Sequence, residues 1–434
     1  MPASTTANTL EQLEGLFKVV YAEGFENLIP EFTQVQAAVQ FRRTNKVGLN
    51  YRQPVVLGME QGITSFGGGT GNTMEAFSLV APVQGQRREA TVFGSETLLR
   101  SSIAYKAAFS APRGGKTAFR NATYDLFQNM WQSIRRRTEI HCLYGQKPAG
   151  VVSAHSSKVI TFTTASWAPG IWAGMEGAHI QVKQTGANAF RLANAVADTD
   201  YGVYYTIDTI DLDARTITLD QDATDVVATD EVYFRTEAIP STITYRTMHG
   251  IDSIITNATT LFGIDAATYN LWKGTTISAG SSQLTMEMLL EAAAKVQSKG
   301  MVSEFTVWLN PLGWRDLNAD QAALRRYDST YKDGAIVSGA KSLKFHTQNG
   351  TMVVKSHPCV KEGDAFGVPT KLWRRIGATD VTFKRPAMEG IDAGGSFFRE
   401  LNDNAGYEIR CYGDQAIFTA RPGLCFKINN IVNS

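Results

Sequence analysis

The chain has 434 residues, with 42 Lys plus Arg against 41 Asp plus Glu, a formal net charge of +1, 43% hydrophobic residues and 19% charged ones. This balance excludes a global basic field of the kind that drives strong phosphate binding, and the charged fraction lies below the ~25% usual for soluble proteins, so much of the surface is expected to meet protein rather than water. No apolar run approaches the ~20 residues of a membrane helix, the opening MPASTTANTLEQLEG lacks a basic and then apolar export signal, and Cys142, Cys359, Cys411 and Cys425 show no CxxC spacing, which predicts free buried thiols in a reducing compartment.

The length prior is about three domains. Residues 1–46 read as an arm. Thr9 with Gln12 forms a capping box, and Leu10, Leu13, Leu16, Phe17, Val20 and Tyr21 share one helical face that ends near Gly24. Such a short amphipathic helix needs a surface, either its own core or a neighbouring subunit. After Pro30 a polar extended stretch carries Arg42, Arg43 and Lys46.

Residues 47–113 form a glycine-rich extended loop, with strands expected at Thr73 to Val83 and Arg88 to Phe93, a turn at Gly85, and extended structure towards Phe109. Two-stranded ribbons are marginal in water, so this loop is expected to be held by neighbouring subunits. Residues 114–150 hold a long helix from near Thr117, with Phe119, Leu126, Phe127, Met130, Trp131 and Ile134 on one face and a stop around Gly145 and Pro148. At ~1.5 Å per residue it spans about 40 Å, enough to be the backbone of an elongated domain.

From residue 151 to about 240 the composition changes to short β segments, Lys158 to Thr164, His179 to Gln184, Val203 to Ile210, Arg215 to Asp220 and Glu231 to Arg235, which predict an inserted all-β module of sandwich or barrel type. A connection, 241–280, leads to residues 281–376. There Leu284, Met288, Ala292 and Val296 mark a helix closed by Gly300, Phe305 to Leu309 a buried strand, Asn310-Pro311 a turn, and Leu312 to Leu324 a further helix. The last part, 377–434, returns as strands, clearest at Ala416 to Thr419. The whole is an α+β chain.

Motifs for catalysis are weak. SAPRGGKT, Ser110 to Thr117, resembles a phosphate-binding loop, but Ser110 stands at the first glycine and the β-rich stretch after the helix breaks the strand-helix-strand context. A phosphate-handling enzyme built on Lys116 is therefore the different-class alternative. His141 beside Cys142 and His357 near Cys359 are the only close His/Cys pairs, and HExxH and GxSxG are absent. Asp208, Asp211 and Asp213 suggest a calcium loop, yet Arg215 and Thr216 break the pattern and a strand-to-strand turn fits better. No catalytic residue, cofactor or metal site is expected. Arg42, Arg43, Lys46 and the run Arg135, Arg136 and Arg137 are candidates for local contact with nucleic acid.

The order of arm, extended loop, long helix, the strand-Asn-Pro-helix piece TVWLNPLGW and the late stretch NGTMVVKSHPCVKEGDAF (Asn349 to Phe366) resembles the major capsid proteins of tailed bacteriophages with the HK97 fold. The resemblance covers nearly the whole chain except Val151 to Thr236. It implies an N-arm, an extended loop, a spine helix in a peripheral domain, an axial domain over 281–376, and an insertion domain over 151–240. It implies homo-hexamers and homo-pentamers that tile an icosahedral head around double-stranded DNA, in a virion assembled in the host cytoplasm, with scaffolding, portal and cement or decoration proteins as further partners and no membrane. An encapsulin nanocompartment shares the fold and is the nearer alternative. Some members cross-link through a lysine in the extended loop, but no lysine occurs between Lys46 and Lys106, so a noncovalent shell is expected. Leu13, Phe17, Leu79, Val80, Val92 and Phe93 are the candidates for contact between subunits. Some members also begin with a cleaved scaffolding region. This chain starts almost directly with the arm, which implies a separate scaffold or a segment already removed.

Overall fold

Among the described residues, three larger β-sheets and two two-stranded ones accompany one long helix. The computed structural model describes residues 32–43, 50–65, 78–104, 120–187, 189–198, 201–238, 245–300, 304–319, 343–347, 350–383, 398–401 and 406–434. Leu13, Phe17, Lys46, the glycine cluster Gly67 to Gly71 and the Ser110 to Thr117 loop lie outside these residues.

The long helix, Arg120–Tyr144, has two unlike halves. Leu126, Phe127, Met130, Trp131 and Ile134 form the apolar stripe legible in the sequence, and they pack on Val381, Phe383, Ile409 and Cys411. Beyond Ile134 the helix is enclosed on several sides, and Thr138, Glu139, Ile140, His141, Cys142 and Leu143 are all buried. It ends at Tyr144, and Gln146 with φ 64° turns the chain out of the helix past Gly145, whose identity is set sterically. A Cβ there would sit 2.1 Å from the Met248 carbonyl oxygen and 2.6 Å from that of His141, so only glycine lets the crossing chain approach.

The first sheet runs in the order Phe41–Arg43, Trp373–Thr382, Gly406–Thr419, Phe398–Glu400, and Ser95–Ala104 also pairs with Gly406–Thr419. That last pairing is antiparallel and continuous, from Ser95 opposite Gln415 to Ala104 opposite Gly406. Part of the loop expected to depend on neighbours is thus held by the chain's own distant return strand. Nothing local announces such a pairing, because its two partners are separated by most of the sequence.

The β-rich middle of the chain closes on itself. Its strands run Thr216–Leu219, Val159–Phe162, Gly150–Ser156, Glu231–Phe234, His179–Lys183, Gly202–Asp211 and Val196–Asp198, and Thr216–Leu219 pairs again with Gly202–Asp211 to complete a barrel. Closure removes the exposed strand edges that an open sheet would present. Ile160, Ile180, Val182, Ile207, Ile217 and Leu219 alternate inward along their strands, and Trp167, Trp172, Phe162 and Phe234 form an aromatic plug. All five strands anticipated here are present. Gly150–Ser156 and Val196–Asp198 are additional, and their sequences GVVSAHS and VAD lack the β-branched and aromatic density that marks the others.

The third sheet has the order Thr275–Ser282, Phe426–Ile431, Ala365–Val368, Phe305–Leu309, Gly350–Ser356, Leu343–Thr347. Phe305–Leu309 is buried along its whole length, parallel to one neighbour and antiparallel to the other. The helix Met286–Gln297, capped by the Thr285 side chain, covers the sheet with Leu289, Ala293 and Val296. Pro311 opens the helix Pro311–Ala319 at the position where its missing N–H is not needed. Residues 78–83 form no regular strand, contrary to the expectation from Thr73 to Val83.

Candidate assembly surface and its anchoring junction

Asn50–Val56 and Arg87–Phe93 pair antiparallel, with Asn50 opposite Phe93 and Val56 opposite Arg87. Backbone bonds carry the ribbon further, from Leu57 N to Gln86 O (2.8 Å) and from Gln61 N to Val83 O (3.0 Å). The base of the ribbon is anchored. Ala90 and Val92 are buried in the main core, and Thr91 N donates to Phe262 O at 2.8 Å. Further out, Met59 is 85% exposed, Ile63 83% and Leu79 78%, with Val56 and Val80 also exposed, and at the base Phe93, opposite Asn50, is exposed on the face away from Val92. Exposed apolar side chains on an extended ribbon make it the candidate interaction surface.

Of the contact candidates, Leu79, Val80 and Phe93 therefore lie on an open surface. Val92 does not. At 2% exposure it faces the chain's own core, because successive side chains on a strand point to opposite faces and Val92 and Phe93 cannot share one.

The ribbon's neighbour in the chain is the short helix Gln34–Ala38, which is held by a buried carboxylate. Val35 N and Gln36 N donate to Glu139 Oε1 and Oε2 at 2.5 and 3.0 Å, so a side chain of the long helix caps the short one. His357 Nε2 lies 2.9 Å from Glu139 Oε1. Cys359 N donates to His357 Nδ1 at 3.1 Å, so Nδ1 is the acceptor and the ring proton on Nε2 is given to Glu139. Arg375 completes the clamp by donating from Nε to Val39 O (3.0 Å) and from Nη1 to Gln415 Oε1 (2.8 Å).

A second buried network joins the end of the long helix to the C-terminal strand. Lys427 Nζ reaches Asp252 Oδ1 at 2.6 Å and Asp364 Oδ1 at 3.0 Å, and Tyr144 Oη donates to Asp364 Oδ2 at 3.3 Å. Burial works against the charge on Lys427, but Asp364 and Asp252 outweigh it and hold its pKa above the ordinary lysine range. Lys361 instead donates to the Pro148 carbonyl at 2.8 Å, and burial depresses it to about 8. Burial also raises the Asp364 carboxyl. These residues are scattered over the sequence and carry no shared motif.

The arginine run on the long helix requires correction as a nucleic-acid surface. Consecutive helical residues are turned by about 100°, so three arginines in a row point to three different sides. Arg136 is 4% exposed and donates to Gly170 O at 2.8 Å. Arg137 lies 3.4 Å over the Phe234 ring and pairs with Glu237 at 3.1 Å. Arg135 sits over Trp131. Arg42 and Arg43 are exposed on the edge strand Phe41–Arg43.

The remaining sequence motifs have structural partners. His141 Nε2 meets Glu237 Oε1 at 2.7 Å, and all four cysteines are buried and unpaired with one another. Asp211 Oδ1 accepts from Asp213 N and Ala214 N at 3.0 and 2.9 Å, closing the hairpin before Arg215, whose φ is 57°. Among the described residues no group of three or more His, Cys, Asp or Glu is arranged to hold a metal ion, and no helix is long and apolar enough to cross a membrane.

No protein-family model and no curated protein matches the chain. Solved structures match it over nearly its full length. It is similar to the Cyanophage A-1(L) capsid asymmetric unit at 10% identity, covering 98% of this chain and 99% of that one with a TM-score of 0.57. It is also similar to the capsid of a native GTA particle at 7% identity, covering 98% and 100% with a TM-score of 0.50. The fold of this chain is a phage capsid fold.

Proposed function

We propose that this chain is the major capsid protein of a tailed phage, with the HK97 arrangement of arm, extended loop, peripheral and axial domains, and the barrel as an insertion domain. It assembles with copies of itself into hexamers and pentamers of an icosahedral head around double-stranded DNA, after assembly in the host cytoplasm. Scaffolding, portal and decoration proteins would be separate chains. The role is structural and needs no cofactor.

The observation that carries this reading is the ribbon. Its base is locked into the core, while Met59, Ile63, Leu79, Val80 and Phe93 are exposed among the described residues. An isolated chain gains nothing from such a surface, whereas a repeated contact between copies buries it at every interface. Arg42 and Arg43, exposed on Phe41–Arg43, are the proposed basic contacts to packaged DNA among the described residues. Contact without lysine in the loop rests on apolar burial, strand pairing and charge pairs.

Electron microscopy of the expressed full chain, with and without a co-expressed scaffold, tests the reading together with nuclease digestion. Closed shells that protect double-stranded DNA support it. Shells that enclose only protein would favour an encapsulin-like compartment, and a persistent monomer under assembly conditions would overturn both.

A further inference from the structure

The buried network at the C-terminal strand brings an amine, two carboxyls and a phenol together. Lys427 is the second residue of the strand Phe426–Ile431, Asp252 lies in the first turn of the helix Ile251–Thr256, and Asp364 directly precedes the neighbouring strand Ala365–Val368. The amine is placed against both carboxyls at once, with Asp252 Oδ1 at 2.6 Å and Asp364 Oδ1 at 3.0 Å from Nζ. The three side chains are only 10%, 8% and 11% exposed, and the ring of Phe366, which pairs across the strands with Lys427, lies 5.4 Å from the nitrogen.

An ion pair in so dry a place is costly, because both partners have given up their hydration. Condensing the nearer pair into an amide removes two buried charges at once. Asp364 would still have a positive neighbour in Lys361, whose ammonium donates to Pro148 O at 2.8 Å and lies 4.3 Å over the Tyr144 ring. The fold also supplies the encounter: it holds groups 175 positions apart within contact, and fixed partners of this kind react as if at effective concentrations of about 10⁵ M or more.

We infer that Lys427 and Asp252 condense within one subunit to an amide between Nζ and Cγ, with Asp364 as the catalytic acid and base. As an ammonium Lys427 is no nucleophile, but the carboxylates that hold its proton are also the groups that take it. Asp364 Oδ1 accepts that proton, and the freed lone pair forms the bond from Nζ to Asp252 Cγ. The bond from Cγ to one Asp252 oxygen then breaks. Of the three ammonium protons, one stays on the amide nitrogen and two leave with that oxygen as water, one of them by way of Asp364, which ends as it began. No oxidant, metal or cofactor enters the balance. Tyr144 Oη, donating to Asp364 Oδ2 at 3.3 Å, keeps this carboxyl in place, and burial raises it towards the protonated form that the second step uses.

Intact-mass spectrometry of the folded full-length chain, denatured and reduced for the measurement, should read one water below the sequence mass. Trypsin should leave the bond after Lys427 uncut and release a branched peptide that joins the segments around Asp252 and Lys427. A chain at its full sequence mass, or a lost water that maps elsewhere, overturns the inference. This reading needs no variant, so a variant that misfolds does not decide it. Lys427→Arg keeps the positive charge without a nucleophilic amine and should restore the full mass, as should Asp364→Asn, which removes the proton acceptor. The same branched peptide formed to the same extent in the Asp364 variant would exclude Asp364 from the reaction. Because the bond lies inside one subunit, the boiled chain still migrates as a monomer.

Discussion

Glu139 and His357, 218 positions apart, meet at 2.9 Å with neither side chain reaching solvent. The contact fastens the long helix to the turn after Gly350–Ser356, and the same carboxylate caps the short helix Gln34–Ala38. One side chain thus joins the N-terminal part of the described chain to two distant elements.

Glu139→Ala should destabilise the subunit by about 3–5 kcal/mol, because it leaves two backbone N–H groups and the His357 proton without their acceptor in a dry site. Denaturant unfolding measures the loss, and hydrogen exchange should speed up first at Val35 and Gln36. A change below about 1 kcal/mol would mean that water reaches the site and replaces the carboxylate.

Val92 and Phe93 should respond oppositely. Val92→Ser removes buried apolar surface and adds a hydroxyl to the core, so a loss of about 2–4 kcal/mol in subunit stability is expected. Phe93→Ser, on the exposed face, should stay within about 0.5 kcal/mol of wild type yet reduce particle yield. Comparing melting with sedimentation of assembled material separates the two effects. Normal assembly by the Phe93 variant would remove this residue from the contact surface.

The alkaline limb of stability should carry a signature of Lys361. Its folded pKa of about 8 lies below the ~10.4 of an unfolded lysine, so between these values the unfolded chain binds more protons and stability gains as pH rises. The penalty of a buried ammonium is full below pH 8 and relieved towards pH 10.4. The four buried thiols act in the opposite sense, since burial raises their pKa values and the unfolded thiols ionise first. Lys361→Met isolates the lysine contribution: over this window wild type should gain up to about 3 kcal/mol relative to the variant. Parallel stability curves would contradict the depressed pKa.

Mature particles boiled in denaturant should migrate as one band near 47.5 kDa. With no lysine between Lys46 and Lys106, an amide bond from that loop has no amine to form it. A reductant-resistant ladder of oligomers on a denaturing gel would show a cross-link made elsewhere.

Periodicity alone determined the helical stripe from Leu126 to Ile134, the helix Met286–Gln297, the buried strand Phe305–Leu309 and most strands of the barrel, because each is a local pattern of apolar spacing. The order of those elements was enough to suggest a capsid fold. Tertiary structure decided the rest. It turned Arg136 and Arg137 inward against Gly170 and Phe234, put Val92 in the core, and gave Ser95–Ala104 its partner in Gly406–Thr419. It also brought Tyr144, Asp252, Asp364 and Lys427 into one buried network. These relationships depend on which distant surfaces meet. Local spacing sets the face that a side chain occupies, but only the folded chain determines whether water, another strand or an opposite charge lies against that face.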